Sequence, residues 1–211
     1  MPLPRAPFVY PILDADALAG RSAALVARAL VEAGAGVLQV RGKTLGDGAL
    51  CDLVLDVVAV AHAGGALVIV NDRPDVARIA GADGVHVGQE DMPAAEVRRL
   101  MPRPLLVGLS THDLGQLRAA PSAMLDYVAI GPVFPTRTKA APDPVVGLEA
   151  VAAARAITSL PLIAIGGITR ANAAAVIAAG ADGIAVVSDL LRASDPGAAF
   201  REMRALLGRT R

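Results

Sequence analysis

The chain has 211 residues, with 20 basic and 20 acidic side chains, and therefore a formal net charge of zero. Hydrophobic residues make up 54% of it, but aromatic residues only 2%, and it contains no Trp. This composition excludes a general nucleic-acid binder, which needs a basic face or aromatic stacking platforms. A chain of about 200 residues suits one domain. We therefore expect a single domain over residues 1–211, with a core of aliphatic side chains and alanine.

The most apolar stretch covers residues 57–70, is interrupted by His62 and two glycines, and ends at Asn71. It is too short to cross a bilayer, which takes about 20 apolar residues. The N-terminal segment lacks the long apolar region of a signal peptide. A single cysteine, Cys51, excludes an internal disulfide framework and a multi-cysteine metal site. We expect a cytoplasmic protein without a membrane partner. An aliphatic outer helix would allow a homodimer.

Short, continuous apolar runs rich in Val, Ile and Leu recur along the chain, and each is typical of a buried strand. Segments with helical spacing lie between them, and this alternation predicts parallel βαβ units. In chain order, strands are predicted over 8–13, 36–40, 66–70, 84–87, 105–109, 125–130, 161–165 and 183–187. Helices are predicted over 23–32, 50–61, 94–100 and 171–179, among others.

A short motif recurs before three of these strands: AGAGV at 33–37, AGADGV at 80–85 and AGADGI at 179–184. The first glycine of each copy suits a left-handed helix cap, and the second glycine opens the next strand. The copies are spaced by close to two and four βα units, which supports eight units in all. We therefore predict a (β/α)8 TIM barrel. An open doubly wound sheet is the alternative, although no glycine-rich dinucleotide loop follows the first strand.

Polar residues gather just past the C-terminal ends of the predicted strands, where barrel enzymes have their active sites. Asp72 and Asp91 follow neighbouring strands, and each also precedes a helix that begins near a proline, so either could be an N-cap. Together with Arg41 and Lys43 they favour a hard-cation site, because Mg²⁺ takes one or two carboxylates and completes its shell with water and phosphate oxygens. His86, inside a predicted strand, is interpreted as a packed histidine rather than a catalytic base.

Lys43 and Lys139 are the only lysines of the chain, and both are predicted at this end of the barrel. Lysine is a compact, rotatable charge that suits phosphate. Gly166, Gly167 and Ser188 follow the last two strands, where barrels commonly bind a phosphate, although a tight turn alone would explain the glycine pair. These residues predict a barrel that binds two phosphorylated groups, one with a divalent metal. A transferase fits better than a hydrolase, because no water-activating base is evident.

The strand ends carry a set of short motifs, namely QVRGK at 39–43, ND at 71–72, GVHVGQED at 84–91, GLSTH at 108–112, GPVFPTRTK at 131–139, IGGI at 165–168 and VS at 187–188. Their order and spacing resemble the thiamine-phosphate synthase family over residues 39–188. The resemblance implies an enzyme that joins hydroxymethylpyrimidine diphosphate to a thiazole phosphate, which is 4-methyl-5-(2-phosphoethyl)thiazole or its 2-carboxy form. Pyrophosphate would leave in a Mg²⁺-assisted dissociative step, followed by attack of the thiazole nitrogen.

The resemblance also implies roles for individual residues. Asp72 and Asp91 would bind Mg²⁺, and Gln39 would read the pyrimidine ring. The pyrimidine diphosphate would be held by Arg41, Lys43, Asn71, Ser110 and Lys139, of which Arg41, Lys43, Ser110 and Lys139 are the expected catalytic residues. The thiazole phosphate would bind to Thr136, Thr138, Gly167, Val187 and Ser188.

Three other functions share this fold. A thiazole tautomerase would need only the thiazole-phosphate half of the site, whereas Asp72, Asp91, Lys43 and Lys139 favour the synthase. A non-catalytic phosphate-binding or regulatory barrel would tolerate the loss of the two acids, which are present. Another phosphate-binding enzyme of amino-acid biosynthesis would need an acid–base pair that is not evident in the sequence.

Overall fold

The computed structural model describes residues 2–136 and 143–208. Within these residues, parallel strands form a closed barrel in which each strand pairs with the next and the last pairs with the first. The strands are β1 (Phe8–Asp14), β2 (Val37–Arg41), β3 (Leu67–Asn71), β4 (Gly84–Val87), β5 (Leu106–Thr111), β6 (Tyr127–Ile130), β7 (Leu162–Ile165) and β8 (Gly183–Val186).

Helices cover the outside of the barrel. They are α1 (Ala23–Glu32), α2 (Asp47–Ala63), α3 (Pro74–Ile79), α4 (Ala94–Leu100), α5 (Leu114–Ala119), a short 3-10 helix (Ser122–Met124), α6 (Gly147–Ile157), α7 (Ala173–Ala178), α8 (Ser188–Leu191) and α9 (Pro196–Leu207). The predicted (β/α)8 TIM barrel is confirmed. The helices predicted over 23–32 and 94–100 have those bounds, whereas α2 begins before the predicted residue 50.

The strands are apolar on both faces, which explains their continuous hydrophobic runs. Along β1, Tyr10 and Ile12 point into the barrel, while Val9 and Leu13 belong to the cluster between barrel and helices. Such two-sided burial is typical of a parallel barrel whose outer face is covered by helices. The abundant alanines of the helices, such as Ala27 on α1, let this layer approach the strands closely.

Aspartates at the strand starts stabilise the end of the barrel away from the predicted site. The Asp83 carboxylate accepts a hydrogen bond from the Val68 backbone N–H at 2.8 Å, and Asp182 accepts one from Leu162 at 2.8 Å. These two aspartates belong to the two AGADG copies of the recurring motif. In those copies the motif therefore links neighbouring strands by a hydrogen bond, in addition to ending a helix. Asp126 accepts the Val107 N–H at 2.7 Å in the same way, outside the motif.

The C-terminal helix α9 completes the outer layer, because it packs against α1, α7 and α8. Its buried Phe200 and Met203 form part of the core between helices and barrel. Cys51, on α2, is half-buried against the same core. In the part of the chain that the structure describes, no helix is long and apolar enough to cross a membrane.

Candidate active site

A cavity of about 460 Å³ opens at the C-terminal end of the barrel. Every predicted site residue that the structure describes lines it. These residues are Gln39, Arg41, Lys43, Asn71, Asp72, Asp91, Ser110, Thr136, Gly167, Val187 and Ser188. The remaining two, Thr138 and Lys139, lie outside the described residues. Strand ends far apart in sequence therefore bring the predicted groups to one space.

Asp14 is a buried acid that the sequence interpretation missed. It is the last residue of β1, is paired in register with Arg41 at the end of β2, and forms an ion pair with the Arg41 guanidinium. Its Oδ1 also accepts the backbone N–H groups of Asp16 and Ala17, both at 3.1 Å. The predicted strand stopped at residue 13, one residue short of this acid. Its position at a strand end, like that of Asp72, was the available signal.

Lys43, Asp72 and Asp91 form a charged group at the ends of β2, β3 and β4. The Lys43 Nζ lies 3.0 Å from Oδ2 of Asp72. Burial raises the pKa of Asp72, and the neighbouring Asp91 raises it further, while Lys43 opposes both effects. The Asp91 Oδ2 accepts the Gly88 backbone N–H at 2.7 Å, which fixes this carboxylate. The carboxylates of Asp72 and Asp91 are close enough to interact and repel each other when both are ionised, so their arrangement suits a bound cation.

The N-cap interpretation of the two acids is wrong. The N-caps of α3 and α4 are Arg73 and Pro93, and neither helix has a side-chain cap. Asp72 instead has a left-handed backbone, with φ of 63°, and its N–H donates to the His86 carbonyl at 2.8 Å. Over residues 2–136 and 143–208, no three acidic, histidine or cysteine side chains form a metal-binding cluster. A pair of carboxylates matches the demand of Mg²⁺, which needs only one or two.

A chain of hydrogen-bonded side chains crosses the base of the cavity. The Gln39 Nε2 donates to the Tyr10 hydroxyl at 3.2 Å, and this hydroxyl lies 3.2 Å from the Tyr127 hydroxyl. The Tyr127 oxygen lies 3.0 Å from Nδ1 of His86, and Nε2 of His86 lies 2.8 Å from the Ser110 Oγ. All but Ser110 are buried. Gln39, which is expected to recognise the pyrimidine ring, and Ser110, which is expected to hold the pyrimidine diphosphate, are therefore the two ends of one hydrogen-bond network.

Burial determines the protonation states of the titratable side chains in this hydrogen-bonded network. It lowers the pKa of His86 to about 4, so the imidazole is neutral near pH 7. It also raises the pKa of both Tyr10 and Tyr127 above the ordinary tyrosine value. The interpretation of His86 as a packed histidine agrees with its burial, but the ring lines the cavity and contacts Ser110. Sequence reasoning overlooked the tyrosines, although they are the only two in the chain.

The loops after β7 and β8 form the opposite wall. Gly166 and Gly167 have φ of 99° and 62°, and a Cβ on Gly167 would lie 2.5 Å from the Pro135 carbonyl oxygen. The glycine pair is therefore required by the close approach of the loop that carries Thr136. Ser188 is the first residue of α8, and the N-cap of this helix is the preceding Val187.

A (β/α)8 barrel with a paired acid site on one wall and a glycine-rich loop on the other defines a barrel enzyme that acts on phosphorylated small molecules. Comparison with known proteins then gives the family. A sequence model described as thiamine monophosphate synthase matches residues 9–190. The chain belongs to the thiamine-phosphate synthase family, whose members are transferases that release diphosphate.

Individual relatives cover nearly the whole chain. It is 48% identical over 203 residues to the thiamine-phosphate synthase of Laribacter hongkongensis, with 96% of each chain covered. It is 44% identical to that of Chloroflexus aurantiacus, over 96% of this chain and 93% of the relative. The solved thiamine phosphate pyrophosphorylase of Pyrococcus furiosus is 32% identical, with a TM-score of 0.86 and 96% of each chain covered. The predicted family, fold class and thiamine-phosphate synthase activity are thereby confirmed.

Proposed function

We propose that this chain joins hydroxymethylpyrimidine diphosphate to a thiazole phosphate in this cavity, with release of pyrophosphate. The observation that carries the proposal is that all described residues expected to bind the two substrates line the same space. The groups expected for the diphosphate follow β2, β3, β4 and β5. Those expected for the thiazole phosphate follow β6, β7 and β8. In a closed barrel, β3 faces β7 and β4 faces β8, so the substrates would meet from opposite walls.

The acid pair is the proposed metal site. Asp72 and Asp91 would hold Mg²⁺, because they are neighbouring carboxylates at the cavity and Asp91 is already fixed by the Gly88 N–H. When bound, Mg²⁺ supplies positive charge to the diphosphate and to the departing pyrophosphate. Lys43 lies beside Asp72, and Arg41 is held by its ion pair with Asp14. These two cations would bind the diphosphate oxygens and stabilise the charge that develops as the bond to the pyrimidine methylene breaks.

The hydrogen-bonded chain is the proposed pyrimidine site. Because Gln39 donates to Tyr10, the Tyr10 hydrogen is available for Tyr127, and the Tyr127 hydrogen for Nδ1 of His86. The neutral imidazole then carries its hydrogen on Nε2 and donates it to Ser110. In this arrangement the Ser110 hydroxyl hydrogen and the Gln39 amide oxygen are left for the pyrimidine. An ordered donor and an ordered acceptor would orient the ring for reaction.

The thiazole phosphate would occupy the opposite wall, against Thr136, Gly167, Val187 and Ser188. Its ring nitrogen attacks the pyrimidine methylene with a lone pair and becomes a cationic thiazolium nitrogen, so the nitrogen loses no proton. No general base is needed. This agrees with His86, whose two ring nitrogens both have hydrogen-bond partners within the protein. Positioning and electrostatic stabilisation are then sufficient for catalysis.

Several expectations stay predictions. Lys139 and Thr138, expected at the diphosphate and the thiazole phosphate respectively, lie outside the described residues. A cytoplasmic location, a homodimer and a single domain over 1–211 also stay predictions. Of the alternatives, a thiazole tautomerase would leave the group of Lys43, Asp72 and Asp91 without a ligand, and this group is what favours the synthase.

A coupling assay tests the proposal. The purified protein is incubated with both phosphorylated substrates, with and without Mg²⁺, and both thiamine phosphate and pyrophosphate are measured. We expect equal amounts of the two products, formed only when both substrates and Mg²⁺ are present. No thiamine phosphate under these conditions would contradict the proposal. Isomerisation of the 2-carboxy thiazole phosphate without coupling would support the tautomerase instead.

A further inference from the structure

Arg192 is a cation at the cavity that the predicted site does not include. It directly follows α8, and its backbone N–H donates to the Ser188 carbonyl at 3.0 Å, one helical turn earlier. Residues four apart lie on the same face of a helix. Both Arg192 and Ser188 line the cavity, and Arg192 is exposed to solvent there.

The neighbouring acid does not neutralise Arg192. Asp189 also lines the cavity, but its Oδ2 pairs with Nε of Arg170 at 2.9 Å, and Arg170 also pairs with Glu202. Among the described residues, no hydrogen bond or ion pair engages the Arg192 guanidinium. Its charge is therefore available to a ligand.

The other arginine and lysine that line the cavity, within residues 2–136 and 143–208, are already paired. Arg41 pairs with Asp14, and Lys43 with Asp72. Both follow β2, whereas Arg192 follows β8, which is separated from β2 by β1. On the wall formed by β6, β7 and β8, Arg192 is thus the sole arginine or lysine lining the described part of the cavity.

We propose that Arg192 binds the phosphate of the thiazole substrate, an inference that rests on the proposed function. A phosphate monoester carries nearly two negative charges at neutral pH, and the other groups expected on this wall, such as Gly167 and Ser188, are neutral. The guanidinium offers a planar fork of N–H donors that matches two phosphate oxygens. Arg192 is therefore a specificity-determining residue that favours the phosphorylated thiazole over its alcohol.

The contribution of Arg192 concerns binding rather than the chemical step. The phosphate is remote from the ring nitrogen that reacts, and its charge is the same in substrate, transition state and product. An interaction of equal strength in all three states changes KM and leaves kcat unaltered. The product thiamine phosphate carries the same phosphate, so its affinity should depend on Arg192 to the same extent as that of the thiazole phosphate.

The test compares R192A with R201A, a matched control that removes an exposed arginine of α9 away from the cavity. In R192A we expect the KM for thiazole phosphate, and the Kd for thiamine phosphate, to rise about 10-fold each. The KM for the pyrimidine diphosphate and kcat should stay at the wild-type values, and R192K should recover part of the loss. Because the charge is exposed, added KCl should weaken wild-type binding more than binding by R192A.

The outcomes separate this inference from the proposed function. If the wild type couples the substrates but R192A has unchanged KM and Kd, only the role of Arg192 is overturned. Equal losses for both substrates in R192A would overturn it as well, because they would indicate general damage. If the wild type does not couple the substrates, the proposed function fails. Calorimetric titration with thiazole phosphate then tests whether Arg192 binds the phosphate. Weaker binding to R192A than to the wild type and R201A would support it, and equal or absent binding would overturn it.

Discussion

Asp14 and Arg41, the last residues of β1 and β2, form an ion pair at the edge of the proposed diphosphate site. The side chain of Asp14 is only 4% exposed and that of Arg41 17%. Because the Asp14 carboxylate also accepts two backbone N–H groups of the following loop, it is a fixed partner. Arg41 is therefore held in one orientation, with its remaining N–H donors available to a ligand.

Asp14→Asn should impair use of the pyrimidine diphosphate. The amide can still accept the loop N–H groups, but it no longer provides the charge that holds the guanidinium. We expect kcat/KM for the diphosphate to fall about 10- to 100-fold, because a misplaced Arg41 stabilises the leaving group less well. The KM for thiazole phosphate should be unchanged. Steady-state kinetics with each substrate varied in turn measures both constants.

Asp75→Asn provides the control for Asp14→Asn. Asp75 pairs with Arg73 on the surface and does not line the cavity, so its loss should leave both kinetic constants at the wild-type values. A loss of equal size for both substrates in Asp14→Asn would contradict a specific role in positioning Arg41.

Asp91→Asn should reduce turnover while the fold is retained. The asparagine oxygen can still accept the Gly88 N–H, but the cavity loses one of its two metal-binding carboxylates. We expect kcat to fall by about 100-fold and the Mg²⁺ concentration for half-maximal rate to rise. The measurement is the coupling rate as a function of Mg²⁺ concentration, together with the melting temperature. Glu90→Gln, at the exposed neighbouring residue, should behave like the wild type, and full activity in Asp91→Asn would place the metal elsewhere.

The barrel itself could be predicted from the sequence, because parallel strands covered by helices are apolar on both faces and read as continuous runs. The site could be predicted in outline for a related reason. The C-terminal ends of all strands converge, so polar residues just past them, such as Asp72 and Ser110, meet at one place. This prediction required no knowledge of the strand pairing or of interatomic distances.

The features that sequence reasoning missed depend on which way a side chain points. In a run that is apolar on both sides, nothing marks Tyr10 and Tyr127 as inward-facing, so their link to His86 could not be found. Arg192 was missed for another reason, since it lies one helical turn beyond the strand end rather than directly after it. Asp72 was readable as a helix cap until its left-handed backbone was known.

Stability should depend on pH through His86. Its pKa is lowered from the ordinary 6.5 to about 4 in the folded protein, so between these values the unfolded chain binds a proton that the folded chain does not. The free energy of unfolding is therefore unaffected by this group above pH 6.5 and decreases as the pH falls toward 4. The linkage predicts a loss of about 3 kcal/mol over this interval.

Urea denaturation of the wild type and of His86→Gln at several pH values between 7 and 4 measures this effect. The glutamine can replace the contact to Ser110 but does not titrate. We expect the variant to lose less stability than the wild type as the pH falls. Subtracting the two curves of unfolding free energy against pH removes the contribution of the carboxylates. Parallel curves would show that His86 is not responsible for the loss of stability at low pH.

Gly167→Ala should weaken binding of the thiazole phosphate through a steric effect on the neighbouring loop. The new Cβ would lie 2.5 Å from the Pro135 carbonyl oxygen and 2.7 Å from the Phe134 Cβ, so this segment, which leads into Thr136, must shift. Gly65→Ala is the matched control for this variant. Gly65 also has a left-handed backbone, with a φ of 74°, but no atom lies within 4 Å of the added Cβ. Both variants should lose about 1 kcal/mol of stability, because alanine disfavours this backbone conformation. Only Gly167→Ala should raise the KM for thiazole phosphate, by about 10-fold or more, and equal KM values in the two variants would exclude this wall as the binding site.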